Sequence, residues 1–177
     1  MTIKGLFHYN NSNLDQHLFS DIALLHAFQD LRSKVHRQMD KNVQARLDTG
    51  NRLPTNFELE LDAFKEEIEL QVWNAVKIIN KKSYKTISSG FAGEYGERQQ
   101  IDGPFFIDNT TKEKLKLMGV LVMPYPDPYM YGEMIIFYPK KPDLVEITAL
   151  WNRIAQILPD LTNHDGKKGR NTQIKTI

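Results

Sequence analysis

The chain has 177 residues, 41% of them hydrophobic, which suits one well-buried core and a single domain. It contains no cysteine, and that excludes disulfides, thiolate zinc sites, iron–sulfur clusters and cysteine nucleophiles, leaving oxygen and imidazole chemistry. A net charge of +1 supplies no global field that argues for nucleic acid. Apolar runs such as Val120 to Met123 and Met134 to Phe137 fall far short of the roughly 18 residues a spanning helix needs. The opening segment sets polar residues where a secretory leader would be apolar, so the expected location is cytoplasmic.

From Leu14 to about Leu47, Leu24, Phe28, Leu31, Val35, Met39 and Val43 recur at spacings of three and four, the stripe of a long amphipathic helix. Stop and turn signals over Gly50 to Pro54 precede a second predicted helix, from Thr55 or Asn56 to about Asn80, with Phe57, Leu61, Phe64, Ile68, Val72, Val76 and Ile79 on its apolar face. The first helix carries Arg32, Lys34, Arg37, Lys41 and Arg46; the second opens with Glu58, Glu60, Asp62, Glu66, Glu67 and Glu69. An antiparallel helical hairpin would set these charges opposite one another, as individually weak surface pairs.

After Lys82 the period becomes extended. Strands are predicted over Tyr84 to Ser89, Gln99 to Ile107, Val120 to Met123 and Tyr131 to Tyr138, with a short helix from Thr111 to Met118 capped by Thr110 and Glu113 and ended by Gly119. A last helix starts at Pro142–Asp143, buries Leu144, Ile147, Trp151, Ile154 and Leu158, and stops at Pro159. The expected fold is α+β: a helical hairpin, then a four-stranded, mostly antiparallel sheet with a short crossover helix and a C-terminal helix, one domain over residues 1–160. Residues 161–177 form a polar, basic tail, expected to be flexible, whose Lys167, Lys168 and Arg170 give a weak nucleic-acid signal.

The least ordinary stretch is Ser88 to Gly103, with Gly90, Gly93 and Gly96 at spacing three, followed by Glu94, Glu97, Arg98 and Asp102. It leads into a strand and has no Gly-Lys-Ser/Thr, so it does not match a phosphate loop; a long hairpin connection using glycine for positive φ is the simpler account. Gly90 to Gly103 resembles the first part of the pattern of the Mrr-type restriction-endonuclease-like branch, where a glycine-rich turn precedes a strand bearing Asp–Gly and the next strand carries Glu-x-Lys or Gln-x-Lys. The resemblance implies Asp102 as a ligand for Mg²⁺ or Mn²⁺ that positions a water. Val120 to Pro124 lacks the second half of the pattern, and the likeness stops short of membership. A hydrolase would need Glu94, Glu97, Asp108 or Glu133 to complete the site, Asp102 and Glu97 being the first metal ligands to consider, with Lys112 or Lys114 brought in.

His17, His26 and His36 lack the i, i+4 spacing of a zinc helix. Ser88 and Ser89 become nucleophile candidates only if the fold brings a histidine to them. In Pro124 to Glu133, three prolines in five residues stiffen a loop bearing Tyr125, Asp127, Tyr129 and Tyr131, a candidate protein-binding surface.

The leading expectation is a non-enzymatic binding or assembly protein, without cofactor or metal, acting on a protein partner or on itself through this loop, the helical hairpin and the basic tail. The alternative is a metal-dependent hydrolase of nuclease or phosphodiesterase type centred on Asp102. A third reading is a sensor with an apolar cavity lined by Phe105, Met123 and Phe137.

Overall fold

A computed structural model describes residues 12–48, 68–125 and 131–162. Four helices and four strands follow in the order α1 (Ser12–Asp48), α2 (Trp73–Lys81), β1 (Ser88–Ala92), β2 (Arg98–Gly103), α3 (Asn109–Lys116), β3 (Leu121–Pro124), β4 (Glu133–Phe137) and α4 (Leu144–Ile157). The α+β class, the N-terminal helix, the antiparallel sheet and the C-terminal helix all match the sequence-based expectation.

The sheet order is β1-β2-β4-β3, and every neighbouring pair is antiparallel. A tight turn joins β1 to β2. By contrast β2 and β3 run in the same direction with β4 between them, so their connection must cross over the sheet, and α3 fills it. Asp108 caps α3, accepting from the Thr111 backbone N–H at 2.9 Å and the Thr111 hydroxyl at 2.6 Å. The helix therefore starts two residues before the predicted Thr110/Glu113 box would place it.

Register assigns the two sheet faces. Phe91, Ile101, Val122, Ile135 and Phe137 share one face and pack with Val72, Val76, Ile79, Trp151 and Ile154 of the helical layer into one hydrophobic cluster. Phe28 and Val35 of α1 belong to the same cluster. The Phe137 and Trp151 rings meet edge to face at 4.8 Å between centroids. On the other face lie Gln100, Asp102, Met134 and Ile136, with Leu121 and Met123 half-exposed toward the β3 edge.

The second helix is shorter than its apolar stripe predicts. Ile68 to Val72 is a turn in which Val72 and Trp73 both donate to the Glu69 carbonyl at 3.1 Å, and α2 begins only at Trp73. Ile68, Glu69, Gln71 and Val72 are all buried. A helix crossing the core along one face could not bury four of five consecutive residues, whereas a turn wrapped by the core can. The predicted span 49–67, with Glu58, Glu60, Asp62, Glu66 and Glu67, lies outside the described residues.

The end of α4 is held by a side chain from the far end of α2. Lys82 donates from Nζ to the carbonyls of Ala155, Gln156 and Leu158 at 2.8, 3.1 and 2.6 Å. These carbonyls have no helical partner, and a cation there also meets the negative end of the helix dipole. Asp143 caps the opposite end, accepting from the Val145 and Glu146 backbone N–H groups.

Candidate functional site

Three polar or aromatic clusters stand out, and the carboxylates picked from the sequence are divided among them. Asp102 is fully buried and accepts from the Ser88 hydroxyl at 2.5 Å, the Gln100 amide at 2.7 Å and the Ser88 backbone N–H at 3.2 Å. It ties β1 to β2 on the face away from the main core. Glu97 lies five residues earlier, roughly 16 Å along an extended strand, and accepts from the Tyr95 backbone N–H at 3.0 Å within the β1–β2 turn, where Glu94 is exposed. Glu133 pairs in register with Gly103, which turns it to the opposite face from Asp102. Asp102, Glu94, Glu97 and Glu133 are therefore not brought together. Among the described residues no group of three or more His, Asp or Glu side chains is placed to hold a metal ion.

Glu133 instead fixes the sheet end that carries the aromatic residues. Buried at the start of β4, it accepts from the Ile107 backbone N–H at 2.8 Å and pairs with Lys112 of α3 at 2.5 Å. Phe105 and Ile107 are buried on either side of Phe106, which is 54% exposed. Gly132 lies against the backbone of Gly103: with φ at +145°, a Cβ there would sit 2.0 Å from the Gly103 carbonyl oxygen, so only glycine lets the two segments touch. Tyr131 precedes it, 82% exposed, and its ring meets that of Phe106 edge to face at 5.0 Å. Tyr125 closes the β3–β4 connection by donating its N–H to the Gly132 carbonyl. Asp127 and Tyr129 lie outside the described residues, as do Lys167, Lys168 and Arg170.

The third cluster has no counterpart among the sites picked from the sequence. Glu69 is buried, and its carboxylate is reached from three segments: Phe91 of β1 donates its N–H to Oε2 at 2.7 Å, Gln71 donates to Oε2 at 2.5 Å, and His36 of α1 lies 2.6 Å from Oε1. With a carboxylate as its acceptor, the His36 Nε2 carries the hydrogen. Behind Glu69 the chain continues inward, because Gln99 Oε1 accepts from both Gln71, at 3.4 Å, and the Trp151 indole, at 3.2 Å. Those two donors fix the orientation of the Gln99 amide, which leaves Gln71 Oε1 and Gln99 Nε2 buried without partners. Of the predicted acidic run only Glu69 is described, and its partner is a histidine rather than one of the α1 lysines or arginines; Arg32 reaches the Gly93 carbonyl at 3.4 Å.

Glu69 also lines a cleft of about 340 Å³ beside the β1 edge. Thr86, Ser88 and Ser89 add hydroxyl-bearing residues to its wall, and Met39, Ile68, Val76 and Ile87 supply the apolar part. The fold thus brings a histidine to the carboxylate that shares a cleft with Ser88 and Ser89. The cavity expected between Phe105, Met123 and Phe137 does not form: Phe105 and Phe137 are buried in the main core, while Met123 is half-exposed on the other face. Short-range spacing could not find the Glu69 cluster, whose members are 33 residues apart for His36 and 22 for Phe91. Its one sequence signal is a polar pair, Glu69 and Gln71, inside the apolar run from Ile68 to Val76.

Comparison with protein-family models, with curated proteins and with solved structures found no match. Among the described residues no helix is long and apolar enough to cross a membrane.

Proposed function

We propose that the chain is a non-enzymatic binding or assembly protein that docks a protein partner on the Phe106–Tyr131 pair. The exposure of two rings in edge-to-face contact on a fixed base carries this reading. An isolated exposed aromatic residue means little. Here the rings sit on segments already immobilised by the Glu133–Lys112 pair, by Phe105 and Ile107 in the core, and by the Gly103–Gly132 contact. A preorganised apolar surface loses little entropy when a partner covers it, and tyrosine is among the residues that dominate interface energetics.

Phe106→Ser/Tyr131→Ser tests the proposal, with Leu117→Ser, a residue 89% exposed on another element, as control. Truncating an interface anchor weakens binding by about 2 kcal/mol or more, roughly 30-fold. Sedimentation velocity and affinity capture should therefore show self-association or a captured protein that the double variant loses and the control keeps. Unchanged association in the double variant would refute the reading, as would a wild type that stays monomeric and captures nothing.

The alternative, a metal-dependent hydrolase centred on Asp102, needs ligands that the described residues do not bring to it. Its test is thermal unfolding with millimolar Mg²⁺ or Mn²⁺, in the wild type and in Asp102→Ala. A ligand that binds only the native state at ~100 times its dissociation constant adds roughly 2.7 kcal/mol. A metal-dependent rise in melting temperature that vanishes in the variant would put the hydrolase reading first.

A further inference from the structure

We infer that the Glu69 cleft is a binding site for a small organic cation, an alkylammonium group on a short aliphatic arm. The inference is independent of the docking surface at Phe106 and Tyr131.

Electrostatics selects the sign of the ligand. Glu69 is the one charged side chain among the described residues that line the cleft. A carboxylate oxygen pair offers about four lone-pair positions, and Phe91, Gln71 and His36 take three, leaving one for a ligand donor. An anionic ligand would meet that carboxylate in a partly desolvated site with no lysine or arginine among the described lining residues to offset it.

The hydroxyls push in the same direction. Ser88 has committed its proton to Asp102 at 2.5 Å, so its oxygen has only lone pairs left for a ligand. Thr86 accepts from the Asn80 amide at 2.9 Å, and its second lone pair remains for a ligand donor. An ammonium, with three donors and no acceptor, matches an acceptor-rich wall of this kind. Met39, Ile68, Val76 and Ile87 fit the aliphatic part, and about 340 Å³ lies at the small end of ligand sites.

His36, 41% exposed, holds the Oε1 side of the same carboxylate.

The test is a ¹⁵N–¹H titration of the full chain with n-pentylammonium, set against pentanoate and pentan-1-ol, which share its length but differ in charge. Saturable shifts confined to Thr86–Ser89 and Phe91 for the amine, at millimolar concentration, are the expected result. Glu69→Gln should weaken amine binding about tenfold or more, the loss of one hydrogen bond to a charged group. Because Glu69→Gln can disturb folding, Ile87→Lys is the second variant: Ile87 is 60% exposed, and the new ammonium would compete for the cleft from its own wall. Leu117→Lys controls for added charge. Binding lost in Ile87→Lys and kept in Leu117→Lys supports the site. Absence of saturable binding, equal response to pentanoate, or amine binding unaffected by Ile87→Lys overturns it.

Discussion

Replacing Gly90 by alanine isolates the packing of Glu69 against β1. Gly90 has φ at +119°, outside the left-handed helical region that other residues tolerate, and a Cβ there would lie 2.1 Å from Glu69 Oε2 and 2.4 Å from its carboxyl carbon. The carboxylate cannot swing aside freely, because Phe91, Gln71 and His36 hold it. Backbone strain of this kind costs about 1–3 kcal/mol. Pushing the carboxylate away strands the buried Phe91 N–H, at a further ~1–3 kcal/mol. The expected loss is therefore about 4 kcal/mol, a large share of the ~5–15 kcal/mol that keeps a typical domain folded, and a fall in Tm of roughly 8–16 °C. Gly119→Ala is the internal control: φ is also positive, at +74°, but nothing lies within 4 Å of the added methyl, so only a ~1–2 kcal/mol backbone term remains. Urea denaturation followed by circular dichroism compares the two. A Gly90→Ala loss within about 1 kcal/mol of the Gly119→Ala loss would mean that the Glu69 contact is not rigid, and would refute the reasoning.

Lys82→Met keeps the aliphatic stem and removes the cation from three carbonyls at the α4 end, so a loss of about 2 kcal/mol is expected in urea, with faster amide exchange at Leu158. Burial, reinforced by Asp108 and Asp160, pushes the Tyr84 phenol up to about 12 from an ordinary value of 10.0. The neutral form is the one the fold prefers, so its contribution is complete below pH 10 and is lost as the pH rises toward 12; absorbance at 295 nm should show a tyrosine step near that upper value, and Tyr84→Phe should remove it. Hydrogen bonds from Thr111 hold the Asp108 carboxyl below its ordinary 3.8, and backbone N–H groups of Glu146 and Val145 do the same for Asp143. Both caps stabilise their helices above the ordinary carboxylate pKa and lose that effect as the pH falls through the lowered one; ¹³C carboxyl titration should give midpoints below 3.8 for both, and Asp108→Asn and Asp143→Asn should flatten the acid limb of the stability curve.

The elements at the C-terminal end were legible because their signals are local. Asp143 and Pro159 bracket α4, and its apolar residues at Ile147, Trp151 and Ile154 are buried as their spacing requires. Strand β4 was recognisable from its β-branched and aromatic run, although all five of its residues are buried rather than the alternate ones that a strand with one solvated face would bury. The predicted first strand, Tyr84 to Ser89, is shifted: β1 spans Ser88–Ala92, and Tyr84 is a core residue packed edge to face on Phe105 at 5.6 Å. The predicted second strand ends early, at Gly103, because Phe105 donates its N–H to the Gly103 carbonyl in a tight turn that breaks the ladder.

The sequence by itself determined the class of the fold, the Asp143 cap of α4, the hairpin connection at Gly93 to Glu97 and the aromatic character of the β3–β4 end, because each depends on residues within a few positions of one another. Tertiary structure alone decided the strand order, the splitting of Asp102 from Glu97 and Glu133, and the meeting of His36, Glu69 and Phe91 beside a cleft. Strand parity sends Asp102 and Glu133 to opposite faces, and a carboxylate's role follows from which backbone or side-chain donors the packed chain puts within 3 Å of it, a distance that spacing along the sequence does not encode.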